Sequence, residues 1–388
     1  MNNPISNLSA IIVGHVFTSG PGQDLEKFLK TKTKNLMFIG HPFSFSGINQ
    51  SFFRIYKNKS FVGEYKIGFS RSSIGKFFFL DIFITIALVI KQRKRFDIFI
   101  GADNLNAFTG LLLRKMGLVN SVIFYVIDYI PNRFNNSILN GIYHWIDRVC
   151  VIHSDYVWNL SSWMIDERER KGISKRMSAP QLIVPIGTNF SKIKRLDVKE
   201  INRNTLAYLG HLKKEFGVQL IIEAFENIVK IIPNIKLVII GKGEYKKVLE
   251  QMVEKAGLNE NITFLGEVKD NSDVEQILSK CAIGLAPYTP EFGGVKRYTD
   301  PGKIKTYMAC GLPVIMTTAT RTAYEIRKRK AGIAIKYDLT LLINAITTLL
   351  NDDELYLEYR KNAIQFGSEY NWDTIFNNAF SPLLLKNK

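Results

Sequence analysis

The sequence predicts an α/β protein made of two doubly wound, Rossmann-like domains facing a cleft. Three observations predict it. Short apolar runs of β type alternate with segments of helical period along the whole chain. The alternation stops at a basic connector, SKIKRLDVKEINRN (Ser191 to Asn204), and then restarts. The length of 388 residues suits two domains of roughly 150 residues each with extensions. The expected boundaries are 1–192 and 193–370, followed by a last helical piece, 371–388. A hydrophobic content of 46% and an aromatic content of 12% are enough for two cores and exclude a disordered chain.

In the first half, SAIIVGHV (Ser9 to Val16) has the uninterrupted apolar character of a central parallel strand. The following loop carries Gly20 and Gly22, and Gln23 or Asp24 starts a helix. Strand, glycine loop and helix make a phosphate-binding shape, although the spacing is neither GxGxxG nor a GKS/GKT loop. NLMFIG is a second strand, and residues 42 to 72 read as irregular. FFFLDIFITIALVI (Phe77 to Ile90) reads as a buried core helix. FDIFIGA and SVIFYVIDYIP are strands that place Asp103 and Asp128 just past their carboxyl ends, where ligands bind in open α/β sheets. A helix over NRFNNSILNGIYHWIDRVC precedes a short strand in VCVIHSDYVWNLS, and QLIVPIGTNF is a further strand and loop.

The second half runs TLAYLG, a helix, IKLVIIGKGE, a helix, NITFLGEV, a helix and AIGLAPY. It then reaches DPGKIKTYMACGLPVIMT, Asp300 to Thr317. Here Asp300 is the expected N-cap and Pro301 the first helical residue. Ile304, Tyr307 and Met308 give the apolar face, and Gly311 and Pro313 end the helix before a buried strand. The free amides near Gly302 and Lys303, with the Lys303 ammonium, form a natural anion site.

The net charge of +17 points to an anionic partner: a phosphorylated substrate, an acidic membrane surface or nucleic acid. Nucleic acid is set aside, because the basic residues are not interleaved with an aromatic platform or a groove-reading helix. Cys150, Cys281 and Cys310 show no ligand spacing, which reads as a reduced cytoplasmic protein without structural zinc. No signal peptide is visible. The 14-residue run ending at Ile90 is too short to span a bilayer, and its basic sequel KQRKR keeps a peripheral role on an anionic membrane open.

The second half resembles the C-terminal domain of retaining GT-B glycosyltransferases, glycosyltransferase family 4 in particular. YLGHLKKEFGVQLIIEAF, LVIIGKGE, ITFLGEV and DPGKIKTYMACGLPVI carry the resemblance in order, over roughly residues 180 to 370. The resemblance implies a nucleotide-diphosphate sugar, of UDP or GDP type, on the C-terminal half. It implies a glycan or lipid-linked acceptor on the N-terminal half, transfer with retention, no metal and no cofactor. The final helix would cross back to the first domain. Carried over by position, His211 replaces an arginine and Phe216 a lysine that contact the diphosphate, and Tyr298 and Thr306 stand where paired glutamates are expected. Lys213, Lys214 and Lys303 are the replacement cations, with Asp300 and the amides of Gly302 beside them.

Glycosyl transfer builds negative charge on the departing diphosphate, so fixed dipoles and cations are its main requirement. Gly20 and Gly22 would face the same diphosphate, while Gly241, Gly243, Glu267 and Val268 would line the base and ribose. A carboxylate is wanted near the sugar. Asp128 and Asp103 are the catalytic candidates, and the bland alternative for either is a helix cap or a loop hydrogen bond. Arg133 and Lys115 read as a solvated face, with a phosphorylated acceptor as the alternative. Besides a transferase for a cell-envelope polysaccharide or lipid-linked glycan, two classes stay open: a catalytically inactive GT-B subunit, favoured by the missing charges, and a nucleotide-sugar epimerase.

Overall fold

Short apolar runs with no helical period become parallel strands in both halves of the chain. The computed structural model describes residues 5–16, 20–43, 48, 50–67, 78–291 and 301–385. Contacts divide the chain into two units, Met1–Pro185 with Asp373–Lys388, and Ile186–Trp372.

In the first unit, β1 (Ser9–Val16), β2 (Asn35–Pro42), β5 (Phe96–Ala102), β6 (Val119–Val126), β7 (Tyr156–Asn159) and β8 (Gln181–Ile183) run parallel. The strand order is β4-β3-β2-β1-β5-β6-β7-β8, so the winding reverses between β1 and β5. Ile11, Val13, Met37 and Ile39 share a core with Val89 and Leu113 from two helices, Phe78–Lys91 and Asn104–Lys115. The terminal helix Trp372–Leu385 stands among this unit's aromatic residues: the Phe28 and Phe376 rings are 5.2 Å apart, and Trp158 meets Phe380 edge-on at 5.0 Å.

Three expectations are corrected here. Residues 42 to 72 are not simply irregular, since β3 (Phe52–Lys57) and β4 (Ser60–Lys66) form an antiparallel hairpin on β2. Its two turn residues, Asn58 (φ 49°) and Lys59 (φ 67°), are both left-handed, as a two-residue hairpin turn requires. Because β4 is exposed along nearly all its length, it has no apolar/polar alternation to betray it. Val149 to His153 continue the helix Ser137–His153, with Ile146, Asp147, Cys150 and Val151 buried at helical spacing, so the next strand begins only at Tyr156. The Phe78–Lys91 helix is buried on one side only. Asp81 and Val89 are inside, whereas Phe79 (57% exposed), Phe83 (68%) and Ile90 (48%) face outward.

The second unit is a six-stranded, wholly parallel sheet in the order β11-β10-β9-β12-β13-β14. Its strands are β9 (Asn202–Leu209), β10 (Lys236–Ile240), β11 (Ile262–Gly266), β12 (Cys281–Ala286), β13 (Val314–Thr317) and β14 (Gly332–Ile335). The winding reverses between β9 and β12. Phe190 packs on this unit's core, and the contacts place the boundary at Pro185/Ile186 where 192/193 was expected.

A buried ion pair ties the first unit together. Arg168 donates to Asp147 at 2.7 and 2.8 Å and to Asn159 Oδ1 at 2.7 Å, with both charged side chains almost fully buried. Breaking one side of such a pair strands a charge and costs about 3–5 kcal/mol, whereas an apolar replacement of both is near neutral. Arg168→Met should therefore lower the urea midpoint of this unit far more than Arg168→Met with Asp147→Leu. A double variant as unstable as the single one would refute that account.

Candidate functional site

Each unit gathers its polar strand-end residues at its own switch point. In the second unit, β9 and β12 part at their carboxyl ends and Tyr307 fills the gap. Its hydroxyl accepts from the Leu209 N–H at 2.6 Å and donates to the Leu285 carbonyl at 3.1 Å. A Cβ on Gly284 would meet the Tyr307 ring at 2.5 Å, so the ring lies directly on β12. Tyr307 belongs to the helix Gly302–Cys310, whose first turn is thereby placed at the switch point.

That helix begins one residue later than expected. Pro301, with an extended ψ of 96°, is the N-cap and Gly302 the first helical residue, because the backbone turns helical only after the proline. Asp300 and Tyr298 lie outside the described residues. The Lys303 ammonium reaches back to the β9 loop, where a Cβ on Gly210 would stand 2.9 Å from it. Thr306 Oγ1 donates to its own helix at the Gly302 carbonyl, 3.3 Å away. His211 is exposed, and its carbonyl accepts from the Tyr208 hydroxyl at 2.9 Å.

The other expected donor contacts are partly committed to the protein. Lys213 stands 3.7 Å from Glu244, and Lys242 pairs with Glu267 at 2.6 Å. Lys214 starts a short 3-10 turn on the surface. Gly241 has a φ of 144° and its N–H donates to the Gly266 carbonyl, while a Cβ there would meet the Gly210 carbonyl oxygen at 1.9 Å. Glycine at this position serves the contact between two strand-end loops. Gly243 is likewise pressed on the Leu212 backbone, and Val268 packs on the core.

In the first unit a cavity of about 250 Å³ opens at the carboxyl ends of β1, β5 and β6. Gly20, Gly22, His15, Asp103, Asp128 and Arg133 are among its walls. Asp103 has φ 74° and ψ 161°, a conformation that residues other than glycine adopt only under strain. It occupies the N-cap position of the helix Asn104–Lys115, where its carbonyl accepts from the Ala107 N–H at 3.0 Å, but its side chain caps no helix N–H. Burial pushes its carboxyl above the usual carboxylate range and the neighbouring Asp128 adds to this, while His15 and Arg133 pull it back. Arg133, expected on a solvated face, instead faces Asp128 at 3.5 Å.

The sequence reading missed His15 in the wall of this cavity and the residues behind it. His15 Nε2 stands 3.2 Å from Asp81 Oδ2, and His41 Nδ1 stands 3.1 Å from Asp81 Oδ1. Asn106 Nδ2 donates to the Ala102 carbonyl at 2.6 Å and faces His15 Nδ1 at 3.3 Å. The amide is thus oriented by a carbonyl, which makes His15 Nδ1 the acceptor and leaves its Nε2–H to donate to Asp81. The one available signal was position: His15, like Asp103 and Asp128, comes at the end of an apolar run.

Comparisons with known proteins match this architecture. Residues 190–366 match the family described as glycosyl transferases group 1. An uncharacterised glycosyltransferase of Methanocaldococcus jannaschii is 22% identical over 341 residues, 80% of each chain. A sucrose-phosphate synthase from Thermosynechococcus elongatus superposes with a TM-score of 0.70 at 15% identity, over 98% of this chain and 99% of its own. Anabaena HepE, solved in complex with UDP, gives 0.70 at 14% identity, over 98% and 100%.

Asp103 yields a two-sided prediction. Its raised pKa means that its ionised form opposes folding, so that cost is absent at acid pH and appears as pH rises through the raised value. Asp103→Gly should also remove backbone strain of about 1–3 kcal/mol. The variant should melt higher than the parent at neutral pH, with a smaller gain at acid pH, and should lose turnover. An unchanged or lower melting temperature would show that neither strain nor charge is stored there.

Proposed function

We propose that the chain is a GT-B glycosyltransferase that moves a sugar from a nucleotide sugar, a reading supported by the match of residues 190–366 to the glycosyl transferases group 1 family and by the two-sheet architecture shared with solved glycosyltransferases. The donor is a UDP-sugar, with a GDP-sugar as the second choice; the UDP held by Anabaena HepE supports the first. Its diphosphate meets the Gly302 amide and the Lys303 ammonium at the β9/β12 switch point. This assignment rests above all on the position of Tyr307, which sets the helix N-terminus there. Both groups act where negative charge grows as the sugar departs.

The acceptor is a glycan or lipid-linked sugar of cell-envelope polysaccharide synthesis, held by the first unit at the cavity of Asp103 and Asp128. Asp103, strained and with a raised pKa, takes the proton of the acceptor hydroxyl. Asp128, beside Arg133, faces the developing positive charge of the sugar. Transfer proceeds with retention and without a metal or cofactor, as the resemblance to family 4 implies.

The enzyme works in the cytoplasm at the inner surface of an anionic membrane. No described helix is long and apolar enough to cross a bilayer. Two surface stripes support the peripheral reading. Phe79, Phe83 and Ile90 form one, and Ile138 (72% exposed), Leu139, Ile142 and Trp145 (57%) the other. Both of their helices pack against Asn104–Lys115, and exposed Lys91, Arg93, Arg95 and Lys115 adjoin them. Apolar side chains rimmed by cations suit an interface rich in acidic lipid.

Two measurements test this. A melting-temperature screen of UDP, GDP and their sugars should show stabilisation by the uridine set, and nucleoside diphosphate should be released once an acceptor is added. Donor binding with no release across an acceptor panel would favour an inactive subunit. The parent should co-sediment with phosphatidylglycerol vesicles at low salt, and Phe79→Glu with Phe83→Glu should abolish this. A parent that stays in the supernatant would remove the membrane assignment.

A further inference from the structure

The cavity of the first unit takes Asp128 and Arg133 from one loop, residues 127–136, which joins β6 to the helix Ser137–His153. The loop contains no helix or strand, so its shape depends on the side chains that grip its backbone. One grip is at Phe134, whose N–H donates to Asn140 Oδ1 at 2.9 Å and whose carbonyl accepts from the Asn140 amide. The other is at Pro131, where two side chains converge on one carbonyl. His144 Nε2 stands 2.8 Å from that oxygen, and Lys171 Nζ stands 3.4 Å from it and 3.1 Å from His144 Nε2. A carbonyl oxygen only accepts, so His144 Nε2 carries the ring hydrogen and donates it, and the second lone pair takes the ammonium. Lys171, the C-cap of the helix Ser162–Arg170, also lies 5.6 Å over the ring of Tyr129, next in the chain to Asp128. The His144 ring is 5.9 Å from that same ring, and Tyr129 is 4% exposed.

We propose that His144 and Lys171 are positioning residues for Asp128 and Arg133, because their shared hold on Pro131, between the two, fixes the loop that presents both side chains to the cavity. The inference rests on the reading of Asp128 as the group that faces the sugar. Neither His144 nor Lys171 is among the walls of the cavity, so both act through the loop. A side chain 3.5 Å from its ion-pair partner is as well placed as the backbone beneath it, and here that backbone is pinned on both sides of Arg133, at Pro131 and at Phe134.

The two donors coexist only while the imidazole is neutral. A protonated ring would set two cations 3.1 Å apart, and the ammonium, exposed and on a flexible stem, is the one that leaves. The groups around the pair do not offset this repulsion. The carboxylates on the three neighbouring elements pair elsewhere: Asp128 with Arg133 on the loop, Asp147 on the helix of His144 with Arg168, and Glu167 with Arg170. From that distance Glu167 and Asp147 raise the Lys171 pKa, against the larger lowering by burial. Burial holds the Tyr129 and Tyr143 hydroxyls above their usual range, so both stay neutral phenols.

The test uses the full chain and two readouts. One is hydrogen exchange, followed by mass spectrometry on peptides covering 127–136. The other is nucleoside diphosphate release from UDP-glucose, with GDP-glucose in parallel and water or a glycoside panel as the acceptor. His144→Phe keeps the ring beside Tyr129 and removes the donor. It should speed exchange of the loop by up to about tenfold, the worth of one hydrogen bond, and lower release by a similar factor. His144→Gln, whose amide replaces the Nε2–H, should restore both. Lys171→Met should speed loop exchange at about pH 8 and leave it unchanged at about pH 5, because imidazoles ordinarily charge between these values and the ammonium has then already left. Unchanged exchange in His144→Phe, no rescue by His144→Gln, or an equal effect of Lys171→Met at both pH values would overturn the clamp. Faster exchange in His144→Phe with full release would reduce the pair to a structural tie and overturn the positioning role. Asp128→Asn separates the two readings. If release is absent in the parent or unchanged in Asp128→Asn, the role of Asp128 fails, and exchange still decides the clamp. If Asp128→Asn loses release and His144→Phe alters neither readout, only the clamp fails.

Discussion

The site of the second unit depends on a buried guanidinium at the far end of its helix. A helix of nine residues is too short to hold its own shape, and its last carbonyls have no partner within it. Arg360 donates to the Gly311 carbonyl at 2.6 Å and to the Leu196 carbonyl at 2.8 Å, and Arg195 donates to the Ala309 carbonyl at 2.7 Å. Two cations thus sit at the negative end of the dipole. Gly311, at φ 89°, lets the chain leave in the left-handed turn that the guanidinium closes. Arg360 comes from the helix Asp353–Ser368, which approaches closely enough that a Cβ on Gly367 would meet the Ala309 nitrogen at 2.9 Å. Once the C-terminal end is pinned and Tyr307 is seated between β9 and β12, the position of the Gly302 amide follows without any contact of its own.

The same helix carries two lysines with opposite fates. Lys303 and Lys305 are two residues apart, so they leave the axis about 200° from each other. Lys305 is buried, donates to the Ile186 carbonyl at 2.8 Å and lies 4.2 Å over the Tyr370 ring. It fastens the start of the unit to its end. Lys303 faces the switch point. One helix therefore sends one ammonium into a structural tie and the other to the switch point, and helical period alone separates them.

That difference marks what could be read from the sequence. The parallel strands of both sheets, Asp103 and Asp128 at strand ends, and the helix that follows Pro301 were legible, because each depends on a local pattern: an apolar run, its polar terminus, a proline and a glycine around a helical period. The hairpin was not, because β4 has no buried face to impose alternation. His15, Asp81 and His41 come from three elements, and Asp81 within its apolar run says only that the run is not a membrane span. The rings beside Lys303 were invisible for a related reason. Tyr208, Phe216 and Tyr288 count as core residues in any hydrophobic pattern, and their approach to one ammonium at 4.5, 5.0 and 4.7 Å is set by tertiary structure.

The net charge of +17 misleads if it is read as a property of the sites. Where the cations flank the strand ends, many are matched: Lys213 by Glu244, Lys242 by Glu267, Arg133 by Asp128. The surplus belongs to the surface, where it acts at long range and weakens with salt. Recognition of a diphosphate cannot come from that diffuse field, which attracts any anion alike. It has to come from groups whose direction is fixed before the ligand arrives, and the helix N-terminus placed by Tyr307 is of that kind.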